Sequence, residues 1–299
     1  MLIEMATGDA YGAAFEFTRT PGIPNDLSRF GSHPKGELPQ GAYTDDTMRA
    51  VANIHVMLSD DARDRFRPEA YADAYLDIYR SDKRMGWSSR FQAMLAEHEK
   101  GSGIDLIAAL RRTPTNGCLM GVAPLGHLPN ADQVRLAATM QTVSTHAASA
   151  VPYAQAVALA AHHLLHGGTT ADVVEYVMAQ VEWSDDARPG DREKAEAVRF
   201  RRMLNDPPEP AMPASTIAAC ALWALTHFQS TAEALVWTCS RGGDTDSLGA
   251  VTMALAACAT DMDHDLPKHL LEGVDTPGNR EMLKLLDARL ASTFQGIAK

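Results

Sequence analysis

Residues 242–259 read GGDTDSLGAVTMALAACA, a glycine pair and an acidic cluster followed by an apolar run rich in alanine. Hydroxyl and carboxylate side chains at the start of such a run are typical of a helix N-terminus, where they accept hydrogen bonds from free backbone N–H groups. The pattern therefore predicts an apolar helix over about 245–260 that opens on acidic residues.

Helical periodicity dominates the rest of the chain, and we find no convincing series of alternating strands. The sequence predicts an all-α fold, a compact single-domain bundle of many helices that spans residues 1–299. The other predicted helices cover 2–16, 44–59, 68–80, 88–99, 103–112, 131–146, 150–166, 170–183, 189–205, 214–228, 230–240 and 280–294.

Two segments interrupt the helical pattern. Residues 18–42 are dense in proline and glycine, which rules out a helix there and marks a long loop of the kind that often carries function. Residues 206–213, DPPEPAMP, form a second break. This segment is compatible with a linker, but the helices on its two sides look alike, and we therefore expect one domain.

The composition bounds the class of protein. Of the 299 residues, 45% are hydrophobic and 22% are charged, the ordinary profile of a soluble globular domain. The net charge of −11 argues against a nucleic-acid partner. No apolar run reaches the roughly 18 residues that span a bilayer, and the N-terminal stretch is acidic where a signal peptide is basic. We expect a cytoplasmic protein without a membrane partner; the sequence does not indicate its oligomeric state.

Two acidic clusters open predicted helices, TDDT at 44–47 and DTDS at 244–247. Capping explains one such residue in each cluster, whereas adjacent carboxylates repel each other. If the clusters meet, two divalent cations such as Mg²⁺ or Mn²⁺ would balance the four carboxylates. The cluster side chains with oxygen donors for such a site are Thr44, Asp45, Asp46, Asp244, Asp246 and Ser247. The spacing alone does not show that the clusters meet.

Four motifs together resemble the ADP-ribosylglycohydrolase family. They span most of the chain, and the two acidic motifs are specific only in combination. In chain order, the motifs are Gly8-Asp9-Ala10-Tyr11-Gly12 with Glu16 after it, Thr44-Asp45-Asp46-Thr47-Met48, Thr145-His146, and residues 242–249, GGDTDSLG.

The resemblance implies an all-α hydrolase that removes ADP-ribose from a modified acceptor and carries a binuclear Mg²⁺ or Mn²⁺ site. The ligand positions it implies are Thr44, Asp45, Asp46, Asp244, Asp246 and Ser247. Catalysis is then expected to depend on Asp46, Asp246 and Glu16. Glu16 is similar to a family acidic residue near the metals, where it orients water or shuttles a proton. Asp9 is a weaker candidate that would support packing near the site.

The resemblance also suggests contacts to the substrate. His146 would touch the diphosphate or ribose, although a histidine at a helix C-terminus is as readily explained as a cap. In the segment 115–127, Asn116 and Met120 match the family, and Gly117 and Gly121 would let backbone N–H groups approach phosphate. Gly121 stands where many relatives have arginine. Trp87 would stack on a base or line the acceptor channel, or act as a structural tryptophan.

The acceptor has several alternatives. ADP-ribosyl-arginine on a protein is the first choice, because Ser247 keeps a hydroxyl at a position where some arginine-specific relatives also carry serine. Serine-linked ADP-ribose and small-molecule ADP-ribosyl conjugates stay open. So do two other classes of protein, a non-catalytic protein that binds ADP-ribose or a partner, and a metal-dependent phosphohydrolase.

Overall fold

A computed structural model describes residues 1–18, 22–34, 38–82, 87, 89–100, 114–183 and 192–294. Over these ranges the ordered elements are helices, and strand-like pairing is limited to isolated bridges. The all-α prediction is confirmed. In chain order, the α-helices are α1 (Leu2–Gly12), α2 (Asp45–Met57), α3 (Pro68–Ser81), α4 (Ser89–Glu99), α5 (Ala131–Thr145), α6 (Val151–Leu165), α7 (Val173–Gln180), α8 (Arg192–Asn205), α9 (Ala214–His227), α10 (Thr231–Ser240), α11 (Thr245–Ala256), α12 (Lys268–Gly273) and α13 (Pro277–Phe294).

One helix boundary and one additional helix differ from the sequence prediction in ways that bear on the fold, and other helix ends shift by a few residues. The first helix was expected to run to residue 16 but ends at Gly12, because Phe17 N donates to Gly243 O (2.8 Å) and the chain turns towards the loop before α11. The short helix α12 was not predicted, since six residues give too little periodicity. The predicted helix over 103–112 lies outside the described residues.

The helix α11 is the centre of the fold, and every one of its residues is buried. It packs against α1, α2, α6, α9 and α10. Alanine and glycine make up much of its surface, so neighbouring helices approach closely from several sides. The acidic N-terminal turn of α11 is therefore held in the interior, beneath the ends of other helices.

The closest of these packings joins α1 to α11. A Cβ added at Gly8 would lie 2.3 Å from Gly249 O, and a Cβ added at Gly249 would lie 2.3 Å from Gly8 O. One turn along, Gly12 O accepts a hydrogen bond from Thr245 Oγ1 (2.8 Å). The two backbones thus touch directly, which fixes α1 against the beginning of α11.

The proline-rich segment 206–213 is tied to the centre of the fold. Gly243 has a φ of +72°, and a Cβ there would lie 1.9 Å from Pro210 O. Only glycine fits this position, because a side chain would meet both backbone strain and a collision. Asn116 N also donates to Met212 O (2.7 Å). The segment therefore packs along the loop before α11 and does not run free as a linker would.

Within the described ranges, no helix has the length and hydropathy needed to cross a membrane. The longest of them, α13, buries Leu283, Leu286, Leu290 and Phe294. These positions recur every three or four residues, as expected for a helix that lies with one face on the core. The cytoplasmic location and the single-domain organisation stay predictions.

Replacing Gly8 by alanine is expected to destabilise the protein. The added methyl group would collide with the Gly249 carbonyl in a backbone-to-backbone contact, and such overpacking costs about 1–3 kcal/mol. Urea unfolding followed by circular dichroism would measure the loss. The matched control is Gly278→Ala in α13, where an added Cβ meets nothing within 4 Å. A Gly8→Ala protein that unfolds at the wild-type urea concentration would contradict the packing described for α1 and α11.

Candidate active site

The N-terminal ends of α2 and α11 are in direct contact, although the two residues that join them are 201 positions apart in the sequence. Ser247 Oγ in α11 donates to Asp46 Oδ2 in α2 (2.9 Å). Oxygens of Asp9, Asp46 and Asp246 lie within 4.8 Å of one another. Oxygens of Glu16, Asp244 and Asp246 form a second group within the same limit. Asp246 belongs to both groups, so the two are adjacent.

Asp9 joins α1 to the start of α2. Its carboxylate is fully buried and accepts hydrogen bonds from Thr44 N (3.0 Å), Thr47 N (3.0 Å) and Thr47 Oγ1 (2.6 Å). Burial raises the pKa of Asp9 to about 6, while the hydrogen bonds from the two threonines lower it. Asp9 therefore fixes the turn that presents Asp46, and it also contributes an oxygen to the first carboxylate group.

Both hydroxyl residues predicted as ligands contact the acidic side chains or their backbone. Thr44 caps α2, because its Oγ1 accepts a hydrogen bond from Asp46 N (3.2 Å). Ser247 donates through its hydroxyl to Asp46, and its backbone N–H donates to Asp246 Oδ1 (2.9 Å). The hydroxyl of Ser247 thus bridges the two helices.

Asp244 occupies the N-cap position of α11 but makes no capping hydrogen bond with its side chain. Its Oδ2 instead accepts a hydrogen bond from Asn116 Nδ2 (2.7 Å). Asn116 begins a short 3₁₀ turn, Asn116–Cys118. Simple capping, the plainer explanation of this acidic cluster, therefore does not account for Asp244.

Asp45 is arranged differently from its neighbour. It accepts a hydrogen bond from Arg49 Nε (3.2 Å) in an ion pair within α2, and among the described residues it belongs to neither of the two carboxylate groups. Burial raises the pKa of Asp45, against the lowering effect of the Arg49 guanidinium. Asp45 as a metal ligand stays a prediction, and the group of three that includes Asp46 contains Asp9 instead.

The buried carboxylates raise one another's pKa values. Burial raises the pKa of Asp46 and of Asp246 well above the usual range, and repulsion from neighbouring carboxylates raises both further. For Asp246, the neighbours with the largest effects are Asp244 and Glu16. Either protons or cations must therefore offset the charge when these side chains are packed together.

The residues present fit a divalent cation with a preference for oxygen. Carboxylate oxygens from three elements converge within 4.8 Å, and two neutral hydroxyls stand beside them. Such a donor set suits Mg²⁺ or Mn²⁺ and lacks the soft thiolates that favour other metals. The four cysteines are all buried and free, and none belongs to either carboxylate group.

Glu16 reaches the site from the turn after α1. It lies in the second carboxylate group, and its Oε2 is 2.9 Å from His33 Nε2. His33 belongs to the segment 18–42, which is not helical in its described parts. Glu16 is partly exposed, unlike the four aspartates of the two groups. Among these carboxylates, Glu16 is therefore the one best placed to exchange protons with solvent.

Three of the predicted substrate contacts lie together beside the acidic groups. Asn116 holds Asp244, and a Cβ on Gly117 would lie 3.0 Å from His146 Nε2. His146 is buried and its Nδ1 is 2.7 Å from Thr145 Oγ1. Burial lowers the pKa of His146 to about 3, so the ring is neutral at physiological pH. A neutral imidazole can exchange hydrogen bonds with a ligand but adds no charge.

The other three predicted contacts are packed inside the protein. Met120 is buried, and a Cβ on Gly121 would lie 2.2 Å from Asn53 Nδ2, so no larger side chain fits there without rearrangement. Trp87 is also buried and stacks on Phe91, with ring centroids 4.9 Å apart. Its neighbours Gly86 and Ser88 lie outside the described residues. The substrate roles of Met120, Gly121 and Trp87 stay predictions.

Sequence reasoning underrated Asp9 and missed Arg49. The signal for Asp9 was an acidic residue in an apolar helix between two glycines, which we interpreted mainly as support for packing. The signal for Arg49 was the i, i+4 spacing from Asp45, which places two side chains on the same face of a helix. Neither pattern is specific enough to assign a role without the tertiary structure.

Comparison with known proteins agrees with this geometry. The family model described as ADP-ribosylglycohydrolase matches residues 1–297. One similar solved structure is titled "ADP-ribosylglycohydrolase-related protein complex"; it aligns with a TM-score of 0.72 and 24% identity, over 97% of this chain and 96% of that one. At this identity the structural likeness shows the fold. No curated protein matches this chain.

The described residues thus form an all-α fold with a buried acidic centre at two helix N-termini. Since the family model covers nearly the whole sequence, the chain belongs to the ADP-ribosylglycohydrolase family. It is therefore an enzyme, a hydrolase that acts on ADP-ribosyl conjugates. The non-catalytic alternative is set aside by this assignment.

The raised pKa of Asp9 predicts how the stability of the metal-free protein depends on pH. An acid whose pKa is 3.8 when unfolded and about 6 when folded contributes stability that is complete below pH 3.8 and is lost as pH rises through 6. As pH rises from 3.8 to 6, the unfolding free energy of Asp9→Asn should therefore increase relative to that of wild type, by about 3 kcal/mol at most. Urea titrations at several pH values in EDTA would measure the shift.

The matched control for this prediction is Asp61→Asn. Hydrogen bonds from Arg63 lower the pKa of exposed Asp61 to about 2, so its contribution to stability is present above its unfolded pKa and is lost as pH falls. The difference between that variant and wild type should be nearly constant from pH 4 to pH 7, and it should change with the opposite sign only as pH falls below 3.8. A difference between Asp9→Asn and wild type that does not change from pH 4 to pH 7 would contradict the prediction for Asp9.

Proposed function

We propose that this enzyme is a divalent-metal-dependent hydrolase that cleaves the glycosidic bond at C1″ of ADP-ribose, with ADP-ribosyl-arginine on a protein as its substrate. The observation that carries the proposal is the convergence of Asp9, Asp46 and Asp246, next to Glu16 and Asp244, at two buried helix N-termini. A buried group of carboxylates this dense needs positive charge to hold it together. Two Mg²⁺ or Mn²⁺ ions would supply that charge.

The proposal assigns each ion to one carboxylate group. Asp9, Asp46 and Asp246 would hold one ion, and Asp244 and Asp246 would hold the other, with Glu16 beside the second group. Bound divalent cations would supply electrostatic stabilisation and bind the hydroxyls of the distal ribose. The hydroxyls of Thr44 and Ser247 are further neutral donors in reach of the same side chains.

The protein's own residues keep the carboxylates in place during the reaction. Ser247 orients Asp46, and Asn116 orients Asp244, each by a hydrogen bond to one carboxylate oxygen. As the bond at C1″ breaks, the sugar ring develops positive charge with oxocarbenium character. Negative charges that are fixed beforehand stabilise this state without reorganising, which is the main source of rate enhancement in such sites.

Glu16 is the residue we assign to the attacking water. It is partly exposed, and His33 fixes one of its oxygens at 2.9 Å. A carboxylate in that position accepts a proton from water as the water attacks C1″, and it returns the proton to the solvent or to the leaving group. This assignment extends the role that the sequence resemblance suggested.

An arginine acceptor suits the charge of the site. The guanidinium group is always protonated, and a substrate that carries it would be drawn to the acidic centre of a protein whose net charge is −11. Ser247, the hydroxyl residue shared with some arginine-specific relatives, lies at the contact between α2 and α11. Serine-linked and small-molecule ADP-ribosyl conjugates are outcomes that the assay below distinguishes.

The first experiment offers arginine-linked and serine-linked ADP-ribosyl peptides side by side, with Mg²⁺ or Mn²⁺, and identifies the products by mass. Metal-dependent release of free ADP-ribose from the arginine peptide is expected, and EDTA should abolish it. Asp246→Asn removes charge from both carboxylate groups and should lower kcat by about 10²-fold or more.

The control for this assay is Asp265→Asn, which alters a carboxylate that accepts hydrogen bonds from Ser230 and Thr231, outside both acidic groups. Its turnover should equal that of wild type. Turnover that survives EDTA or the Asp246 substitution would refute the metal-dependent mechanism. Release of phosphate or AMP would indicate a phosphohydrolase, and release from the serine peptide alone would replace the arginine acceptor.

Replacing Glu16 by glutamine distinguishes a role in handling the attacking water from a role as a metal ligand. If Glu16 handles the attacking water, the variant should bind Mn²⁺ nearly as wild type does while kcat falls by about 10²–10⁴-fold. Isothermal titration calorimetry and steady-state kinetics on the same preparation would measure both. A parallel loss of Mn²⁺ affinity and kcat would show that Glu16 acts as a ligand and would remove its role in positioning water.

A further inference from the structure

Arg49 places a buried cation next to the acidic site. The residue is 4% exposed, and its guanidinium contacts two parts of the structure. Nε donates to Asp45 Oδ2 (3.2 Å) within α2, and Nη1 donates to Gly117 O (3.2 Å) in the turn that precedes α5. The guanidinium therefore joins Asp45, in the first turn of α2, to Gly117, which lies 68 residues after Arg49 in the chain.

Aromatic rings fix the guanidinium in this position. The Arg49 Cζ atom lies 4.7 Å from the Phe91 ring centroid, 5.0 Å from that of Trp87 and 5.6 Å from that of Tyr75. Cations attract the faces of aromatic rings, and the attraction strengthens away from water. Tyr75 is fixed in turn, because its hydroxyl donates to Asn53 Oδ1 (2.9 Å) in α2. Arg49 therefore has little freedom to move.

The turn that Arg49 holds is the same turn that holds Asp244. Gly117 accepts from Arg49, and the preceding residue, Asn116, donates to Asp244 Oδ2 (2.7 Å). The turn packs closely on its neighbours, since a Cβ on Gly117 would lie 3.5 Å from Arg49 Cζ and 3.0 Å from His146 Nε2. A continuous series of contacts thus runs from Asp45 through Arg49 and the turn to Asp244.

We propose that Arg49 is a positioning residue, which sets the Asn116–Cys118 turn so that Asn116 holds Asp244 in the geometry needed for a divalent cation. The inference rests on the cation site of the proposed function. In this proposal Arg49 is not itself a metal ligand. It acts through the Gly117 carbonyl, and its ion pair with Asp45 and the aromatic rings keep it aimed at that carbonyl.

Charge and geometry predict opposite effects of removing Arg49. A positive group near a cation site weakens cation binding by repulsion, so an effect of charge alone would make the site tighter when Arg49 is neutralised. Loss of the turn's support would make the site weaker, because residues that orient metal ligands typically contribute about 10–100-fold in affinity. The sign of the change therefore separates the two explanations.

The test measures Mn²⁺ binding to the full-length protein by isothermal titration calorimetry and by electron paramagnetic resonance, without any ADP-ribosyl substrate. Arg49→Met keeps much of the side-chain length but removes the charge and both donors, and its Mn²⁺ affinity should fall by about tenfold or more. Arg49→Lys keeps the charge but reaches only one of the two acceptors, and its affinity should lie between those of Arg49→Met and wild type. Wild-type or tighter affinity in either variant would overturn the inference.

A double-mutant cycle tests whether Arg49 acts through the turn. Asn116→Ala removes the donor to Asp244 and should itself weaken Mn²⁺ binding. If Arg49 works by placing Asn116, the loss in the double variant should be close to the larger single loss. Losses that add in full would show that the two residues act independently and would overturn the inference. If Arg49→Met does not fold, Arg49→Lys completes the same cycle.

Arg201→Met is the matched control. The variant removes the same charge and breaks the ion pair in which Arg201 of α8 donates two hydrogen bonds to Glu175 of α7. Its Mn²⁺ affinity should equal that of wild type. Because no substrate is present, this test is separate from the hydrolysis assay. If the Arg49 variants lose Mn²⁺ binding while wild type binds Mn²⁺ but releases no ADP-ribose, the positioning role is supported and the proposed reaction is rejected. A wild type that binds no Mn²⁺ would overturn the inference.

Discussion

The contact between α1 and α11 is the constraint on which the site depends. At Gly8 and Gly249 the two backbones touch with no side chain between them, and Thr245 Oγ1 bonds to Gly12 O nearby. This approach brings Asp9 to the level of Asp246, because each residue lies within one turn of the contact along its own helix. A larger residue at either glycine would separate the helices and move the two carboxylates apart.

Burying several carboxylates together is unfavourable, and the fold offsets the cost with hydrogen bonds from neutral groups. Asp9 receives backbone and hydroxyl donors, Asp46 receives the Ser247 hydroxyl, and Asp244 receives the Asn116 amide. Each bond fixes a carboxylate without cancelling its charge, so the capacity to attract a cation is preserved. Arg49 brings a full positive charge, and it pairs with Asp45, which among the described residues belongs to neither group of three.

The sequence was informative about the fold and the location of the site where local patterns are strong. The acidic clusters before α2 and α11 predicted both helix starts, because capping and apolar periodicity act within a few residues. The close approach at Gly8 and the packing of Pro210 on Gly243 depend on residues far apart in the chain, and no local pattern specifies them. The same limit explains why segment 206–213 was compatible with a linker.

Asp45 and Asp46 are adjacent in the sequence but have different partners in the structure. Successive side chains on a helix point about 100° apart, so Asp45 and Asp46 leave α2 in different directions. Asp46 faces Ser247, whereas Asp45 points along α2 towards Arg49, one turn later. The third carboxylate of that group must then come from another element, and α1 supplies Asp9 through its glycine contact with α11. Asp45, which is also predicted as a metal ligand, thus pairs with the arginine that bonds to the Asn116–Cys118 turn.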